Sequence, residues 1–182
     1  LCVGHLGEQV EEFVKDGSKF DMCVKYSYES KKILGTGGAI KKAIPLLGKK
    51  FFVLYGDSFL KIDYYSVYKN FESSGCKALM TVFKNKGRWD NSNIEIHGKK
   101  IKNYSKTKQN LKMTHIDYGL GFFEKEVFQK FPKDTNFDLS EVYQELLKIR
   151  KLASFEAKNR FYEIGSKVGL DELNQFFKNK KI

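Results

Sequence analysis

The sequence predicts an α/β domain with a mixed, mostly parallel sheet flanked by helices. Three observations carry this. Continuous apolar runs at 51–55 (FFVLY) and 78–83 (ALMTVF) have the length and composition of strands buried on both faces of a sheet. Stretches with apolar residues at helical spacing, such as 8–15 (EQVEEFVK) and 64–72 (YYSVYKNFE), alternate with strand-like runs. Strand–helix–strand alternation implies right-handed βαβ crossovers and parallel pairing. At 182 residues the chain is expected to be one domain, 1–182, long enough to bury a sizeable core.

In order, residues 1–3 form a strand ending at Gly4. The helix 8–15 has Val10, Phe13 and Val14 on one face and stops at Asp16-Gly17. Residues 22–28 alternate Met22, Val24, Tyr26 and Tyr28 and predict a strand. The segment 34–39, LGTGGA, opens a short helix. The central strand 51–55 follows and is broken by Gly56, with Asp57 and Ser58 at its carboxyl end. Next come the helix 64–72, closed near Gly75, and the strand 78–83. The segment 93–104 (NIEIHGKKIKNY) predicts a β-hairpin turning at Gly98-Lys99-Lys100. A glycine-rich strand, 116–123, precedes a short helix at 126–130 that stops at Pro132. An amphipathic helix at 139–149 has Asp138 as its N-cap. Strands at 152–157 and 159–164 and a helix at 170–178 complete the chain.

The net charge is +11, and such an excess raises the question of a polyanionic partner. The basic residues are almost all lysine and scattered; the arginines are Arg88, Arg150 and Arg160. No recognition-helix or arginine-rich pattern appears, which argues against nucleic acid. Cys2, Cys23 and Cys76 form no CxxC pair, and Cys2 and Cys23 sit in apolar runs where a free thiol behaves as a small hydrophobe. This suggests a reducing cytoplasm. No apolar run reaches the roughly 18 residues of a membrane span, and no signal peptide is evident.

Candidate chemistry gathers at strand ends. In open α/β sheets, ligands collect outside the carboxyl ends of the strands. Asp57 stands there behind a glycine that lets a ligand approach closely, where it either holds a divalent metal against phosphate oxygens or caps the turn. Glu163 lies near the end of another strand, FYEIGS, shortly before a glycine, and two such carboxylates can share one Mg²⁺; taken alone, it reads rather as a surface residue or a lysine's partner. LGTGGA offers backbone N–H groups at a helix start, or is simply a tight turn. It is neither a Walker A loop nor a dinucleotide fingerprint. Asp117 lies in a strand too polar for pure core and needs partners, which a ligand's hydroxyls could supply. His5, His97 and His115 have no partners at metal-ligand spacing and predict solvated or packed side chains.

Together the segments LCVGHLGEQVEEF, YSYE, ILGTGGA, VLYGDS, LMTVFKN, WDNSN, HIDYGLGFF and RFYEIGS resemble, in order and spacing, the sugar-1-phosphate nucleotidyltransferases, and within them the D-glycero-D-manno-heptose 1-phosphate guanylyltransferase-like subgroup. The match covers essentially the whole chain. It implies a Rossmann-like nucleotidyltransferase fold and a reaction in which sugar 1-phosphate and NTP give NDP-sugar and pyrophosphate. The resemblance makes Asp57 the Mg²⁺ ligand, with Glu163 where the wider family has a second metal-binding aspartate. Gly35, Thr36, Gly37 and Gly38, with Gly56, match the nucleotide-binding segments, and Asp117, Tyr118 and Gly119 the sugar pocket. Lys106 matches the lysine that neutralises the sugar phosphate, although the glutamate usual before it is Ser105 here. The implied mechanism is in-line attack of the sugar phosphate on the α-phosphorus, resting on positioning and charge neutralisation.

The implied partners are NTP, GTP by subgroup, and a sugar 1-phosphate, for capsule or lipopolysaccharide precursors in the cytoplasm. The family's opening GGxGTRL loop and PKP-type segment have no match here, and the chain starts at what would be the family's second strand. The first strand–helix unit is therefore expected to be missing. The expectation is an amino-terminally truncated enzyme with little activity, and an exposed apolar sheet edge favouring homo-oligomers. The competing class is a non-catalytic sugar- or nucleotide-binding or regulatory module of the same fold. A glycosyltransferase would carry a DxD motif, whereas Ser58-Phe59 follow Asp57.

Overall fold

The computed structural model describes residues 1–29, 32–85, 87–89, 91–98 and 100–179. In chain order the elements are β1 (Cys2–Val3), α1 (Gly7–Val14), β2 (Ser27–Tyr28), α2 (Gly35–Ala43), β3 (Lys50–Leu54), β4 (Ser58–Leu60), α3 (Tyr64–Ser74), β5 (Ala78–Phe83), β6 (Ile94–His97), β7 (Lys100–Tyr104), β8 (Ile116–Glu124), α4 (Leu139–Lys148), β9 (Leu152–Ala157), β10 (Phe161–Glu163) and α5 (Lys167–Asn179). Within the chain, contacts group into two compact units, Leu1–Phe51 with Lys125–Glu145, and Phe52–Glu124 with Leu146–Ile182.

The second unit is organised on a mixed sheet ordered β3-β8-β5-β9. β5 runs antiparallel to β8 and parallel to β9. Its position explains its composition: Ala78, Leu79, Met80, Thr81 and Val82 are all fully buried, as a run without polar alternation requires. The polar exception, Thr81, donates its hydroxyl to the Leu120 carbonyl at 2.6 Å, so no donor is left unsatisfied there. β3 departs from expectation. It lies at the edge of this sheet, not its centre; Phe51 is buried but Leu54 is 46% exposed. An apolar run signals a strand but does not encode its rank in the sheet.

Helix α3 covers the core of this unit. Asp63 caps it by accepting from the Tyr65 N–H at 3.0 Å, and Gly75 ends it in the left-handed region, φ 64°. Val67 and Phe71 pack into a cluster with Leu60, Leu79, Tyr118, Leu120, Phe122 and Ala157. Burying each large apolar side chain of this kind contributes about 1.5–3 kcal/mol. β6 and β7 form the expected antiparallel hairpin, with Gly98 at φ 61° in its turn; Lys99 of that turn lies outside the described residues.

In the first unit β1 and β2 pair in parallel. The strand expected over 22–28 is reduced to Ser27–Tyr28. The reason is where the backbone donors go: Met22 N bonds Gly17 O at 3.1 Å and Val24 N bonds Asp16 O at 2.8 Å, folding the segment onto the preceding turn. Cys2 and Cys23 are exposed, contrary to the apolar burial expected of them. The helix expected at 126–130 is a 3-10 turn, Lys125–Phe128. Asp138 caps α4 as expected. Its carboxylate accepts from Ser140 N at 2.8 Å while its own N–H donates to Glu141 at 2.9 Å, a reciprocal capping box. Among the described residues no helix is long and apolar enough to cross a membrane.

Candidate functional site

Strand β4, three residues directly after Asp57, pairs antiparallel with β10 in the register Ser58↔Glu163, Phe59↔Tyr162, Leu60↔Phe161. Alternation sends Phe161 inward against Tyr118 and Phe83, and Phe59 and Tyr162 outward against Phe176 of α5. The ribbon is thus clamped on both faces, and its end is fixed: Ile164 N donates to the Asp57 carbonyl at 2.7 Å.

This pairing brings Asp57 and Glu163 together. A Cβ built on Gly165 would lie 2.5 Å from Glu163 Oε1 and 3.6 Å from Asp57 Cβ, so both carboxylate-bearing side chains flank one point. Ser58 Oγ donates to Asp57 Oδ1 at 3.2 Å and Ser166 Oγ to Glu163 Oε2 at 2.8 Å. Asp57 is exposed and Glu163 half-buried, leaving oxygens open to a ligand. Among the described residues no cluster of three or more His, Cys, Asp or Glu side chains exists that could hold a metal alone. A pair of hard carboxylates open to solvent fits Mg²⁺, which takes one or two protein carboxylates and completes its shell with phosphate and water. Gly56 beside them has open space where a side chain would go; nothing in the protein's own packing asks for glycine there.

β8 carries the expected sugar segment, and a bulge shapes it. Met80 pairs with Gly121 but Val82 pairs with Asp117, so β8 holds extra residues around Gly119. Gly119 has φ 92°, and its carbonyl accepts from Tyr55 N at 3.1 Å, tying the bulge to the turn that carries Asp57. Asp117 is half-buried; its Oδ1 accepts from Gly119 N at 3.0 Å and its Oδ2 faces the Tyr104 hydroxyl at 3.5 Å. Tyr118 does not line a pocket. It is 1% exposed, and burial pushes its phenol up to about 12. Its hydroxyl donates to the Arg160 carbonyl at 3.4 Å. The side chain is core, packed in one cluster with Leu120 and Phe122 of the same strand.

Lys106 is exposed in the turn after β7. Asn93 links that turn to the Asp117 segment: its carbonyl accepts from Ser105 N at 3.0 Å and its side chain from Asp117 N at 3.2 Å. This organising role was not assigned from sequence, although Asn93 ends the WDNSN landmark. Ser58 and Ser166 were likewise missed; each follows closely on a candidate ligand, which was the available signal.

The glycine-rich loop belongs to the first unit. Gly35 (φ 69°) starts α2, and the N–H groups of Gly37 and Gly38 donate to the Phe137 carbonyl at 3.0 and 3.2 Å. A Cβ on Gly37 would meet the Phe137 ring at 2.4 Å, and one on Gly38 the Thr135 carbonyl at 2.5 Å. Thr36 Oγ1 donates to Asp138 at 3.0 Å and accepts from Leu139 N at 2.9 Å. Gly37 and Gly38 are therefore buried by close packing on 135–138, and their donors are engaged within the protein; of the four residues only Gly35 and Thr36 keep surface for a ligand.

The signature of the family described as nucleotidyl transferase matches residues 1–178. The chain is 32% identical over 167 residues to D-glycero-alpha-D-manno-heptose 1-phosphate guanylyltransferase of Campylobacter jejuni, covering 91% of this chain and 72% of that one. It is 27% identical to UTP--glucose-1-phosphate uridylyltransferase of Synechocystis, over 75% of this chain and 39% of that one. Among solved structures, the fold is shared with HddC from Yersinia pseudotuberculosis complexed with GMP-PN (TM-score 0.74, 22% identity, 97% of this chain and 77% of that one). It is shared too with a protein assigned as a glucose-1-phosphate thymidylyltransferase from Bacillus anthracis (TM-score 0.82, 16% identity, 96% and 73%). A signature spanning nearly the whole chain, a relative matched over most of both lengths and a mixed α/β fold in common agree: the chain belongs to the nucleotidyl transferase family, in its sugar-1-phosphate nucleotidyltransferase branch.

Proposed function

We propose that the protein transfers a nucleoside monophosphate from an NTP to a sugar 1-phosphate, releasing pyrophosphate, with GTP and a heptose 1-phosphate as the favoured pair. The observation that carries this is the convergence of Asp57 and Glu163 on one point at the ends of two paired strands. The Campylobacter relative's guanylyltransferase name supports the base and the sugar. The product would feed surface-polysaccharide synthesis, in the cytoplasm where such nucleotides are held.

Asp57 and Glu163 would hold Mg²⁺, which when bound neutralises phosphate charge and lowers the cost of in-line displacement. The protein's own residues do the rest by position. Ser58 and Ser166 fix the two carboxylates, and the open flank at Gly56 leaves room for phosphate oxygens beside Asp57. Lys106 would neutralise the sugar phosphate, and Asn93 sets its turn against the Asp117 segment. Asp117 would meet sugar hydroxyls, with Tyr118 and Gly119 buried behind it; the Gly119 N–H and carbonyl are engaged by Asp117 and Tyr55. Gly35 and Thr36, in the first unit, are the accessible part of the glycine-rich loop that the resemblance assigns to nucleotide binding.

The test is pyrophosphate release from each of the four NTPs with D-glycero-D-manno-heptose 1-phosphate, using the protein as its gene encodes it. Release that requires Mg²⁺ and is fastest with GTP is the expected result. Nucleotide binding without release under any combination would overturn catalysis in favour of a binding module.

A further inference from the structure

The segment 165–169 surrounds the Glu163 carboxylate in a way that helix capping alone does not require. Ser166 Oγ accepts from Gly169 N at 3.1 Å, which caps the start of α5, and the same hydroxyl donates to Glu163 Oε2 at 2.8 Å. A serine hydroxyl has one proton and spare lone pairs, so both bonds are made together. The other carboxylate oxygen, Oε1, sits 2.5 Å from where a Gly165 Cβ would stand, and Oε2 sits 3.1 Å from a Gly169 Cβ. A Gly169 side chain would also strike the Glu163 carbonyl at 1.8 Å. Gly165 has no positive φ, so its glycine is not demanded by the backbone. What it provides is space between Asp57 and Glu163.

We propose that 165–169 is a socket shaped for glutamate at position 163, in which Ser166 is a positioning residue and Gly165 the void that admits the longer side chain. This rests on the metal-holding role of Asp57 and Glu163. The socket turns Glu163 back over the helix start, holds Oε2 on the Ser166 hydroxyl and presents Oε1 on the side of Asp57. A carboxylate one methylene shorter would fall short of the Ser166 hydroxyl. A methyl at 165 would occupy the place of Oε1. Outer partners that orient a metal-holding carboxylate are worth about 10–100-fold in metal affinity.

The test is Mn²⁺ binding to the chain, followed by water-proton relaxation, with far-UV circular dichroism on every variant. Asp57→Ala is expected to weaken Mn²⁺ binding by at least about 10-fold, Ser166→Ala by about 10-fold, and Ser166→Thr, which keeps the hydroxyl, by less than about 2-fold. Gly165→Ala should weaken binding in the wild-type background but much less in a Glu163→Asp background, because the shorter acid clears the new methyl. That coupling does not depend on the α5 cap and survives any loss of helix in Ser166→Ala. Wild-type affinity in a folded Ser166→Ala, or equal effects of Gly165→Ala in both backgrounds, would overturn the socket while Asp57→Ala still reports the metal. Mn²⁺ binding that Asp57→Ala leaves untouched overturns the metal reading itself, and the socket with it.

Discussion

Glu163 pairs with Ser58 across the β4–β10 ribbon, and this places it beside Asp57 although about a hundred residues of sequence separate the two. The backbones that carry the two acids are held together by main-chain hydrogen bonds, the β4–β10 ladder and Ile164 N to the Asp57 carbonyl. If the pair holds one metal, the two substitutions cannot be independent. Asp57→Asn and Glu163→Gln should each lower kcat by at least about 100-fold, and the double variant should lose little more than the worse single, as residues acting as a unit do. Pyrophosphate release at saturating NTP measures this. Fully multiplicative losses would show that the carboxylates work apart.

Gly119 sits at φ 92° inside the β8 bulge, where an L side chain is strained even though the space around it is ordinary: its Cβ would come no closer than 3.4 Å to Ser58 Oγ. The expected cost of Gly119→Ala is therefore that of the backbone alone, about 1–2 kcal/mol. Urea unfolding reads it directly. A change under about 0.3 kcal/mol would mean that the bulge relaxes, which the Tyr55 N to Gly119 O bond argues against.

Much of this was legible in the residues. β5 announced itself because a buried central strand has no polar alternation to keep, and α4 because Asp138 and Glu141 stand at capping-box spacing. Asp57 and Glu163 stood out as acids at strand ends. What escaped depends on partners distant in sequence. β4 is too short for any period to show, and only its pairing with β10 defines it. Tyr118 looked like a pocket residue because it lies between Asp117 and Gly119, yet it is buried with Leu120 and Phe122 in the apolar cluster. Gly37 and Gly38 looked like ligand glycines, and the atoms that require them, in Thr135 and Phe137, lie some hundred residues on.

The Gly37 contact makes its own prediction. A methyl there would stand 2.4 Å from the Phe137 ring, which is buried and can yield only by moving 135–138. Gly37→Ala should cost about 1–3 kcal/mol, the usual range for overpacking. Combined with Phe137→Leu, which loses the offending edge, the second change should be less costly than in the wild type, giving a coupling of about 0.5 kcal/mol or more. Additive costs in a double-mutant cycle would place the strain elsewhere than between these two side chains.

His115 provides a pH dependence with a definite sign. It is 7% exposed, and burial lowers its pKa below the ordinary 6.5; Glu156, whose carboxylate lies 3.8 Å from Nε2, pulls the other way, and Lys84 adds to the lowering. Thr114 Oγ1 stands 3.0 Å from Nδ1. Because the folded protein holds the proton less well than the unfolded chain does, the unfolded state takes up more protons as the pH falls below about 6.5. This group's stabilisation is therefore complete above that pH and is lost progressively below it. His115→Gln cannot titrate, so the stability it loses between pH 7.5 and pH 5 should be smaller than the wild type's loss over the same interval. Urea unfolding at the two pH values isolates the difference from the carboxylates common to both proteins. An equal loss in both would show that Glu156 offsets burial in full, and that His115 is held charged and neutral alike.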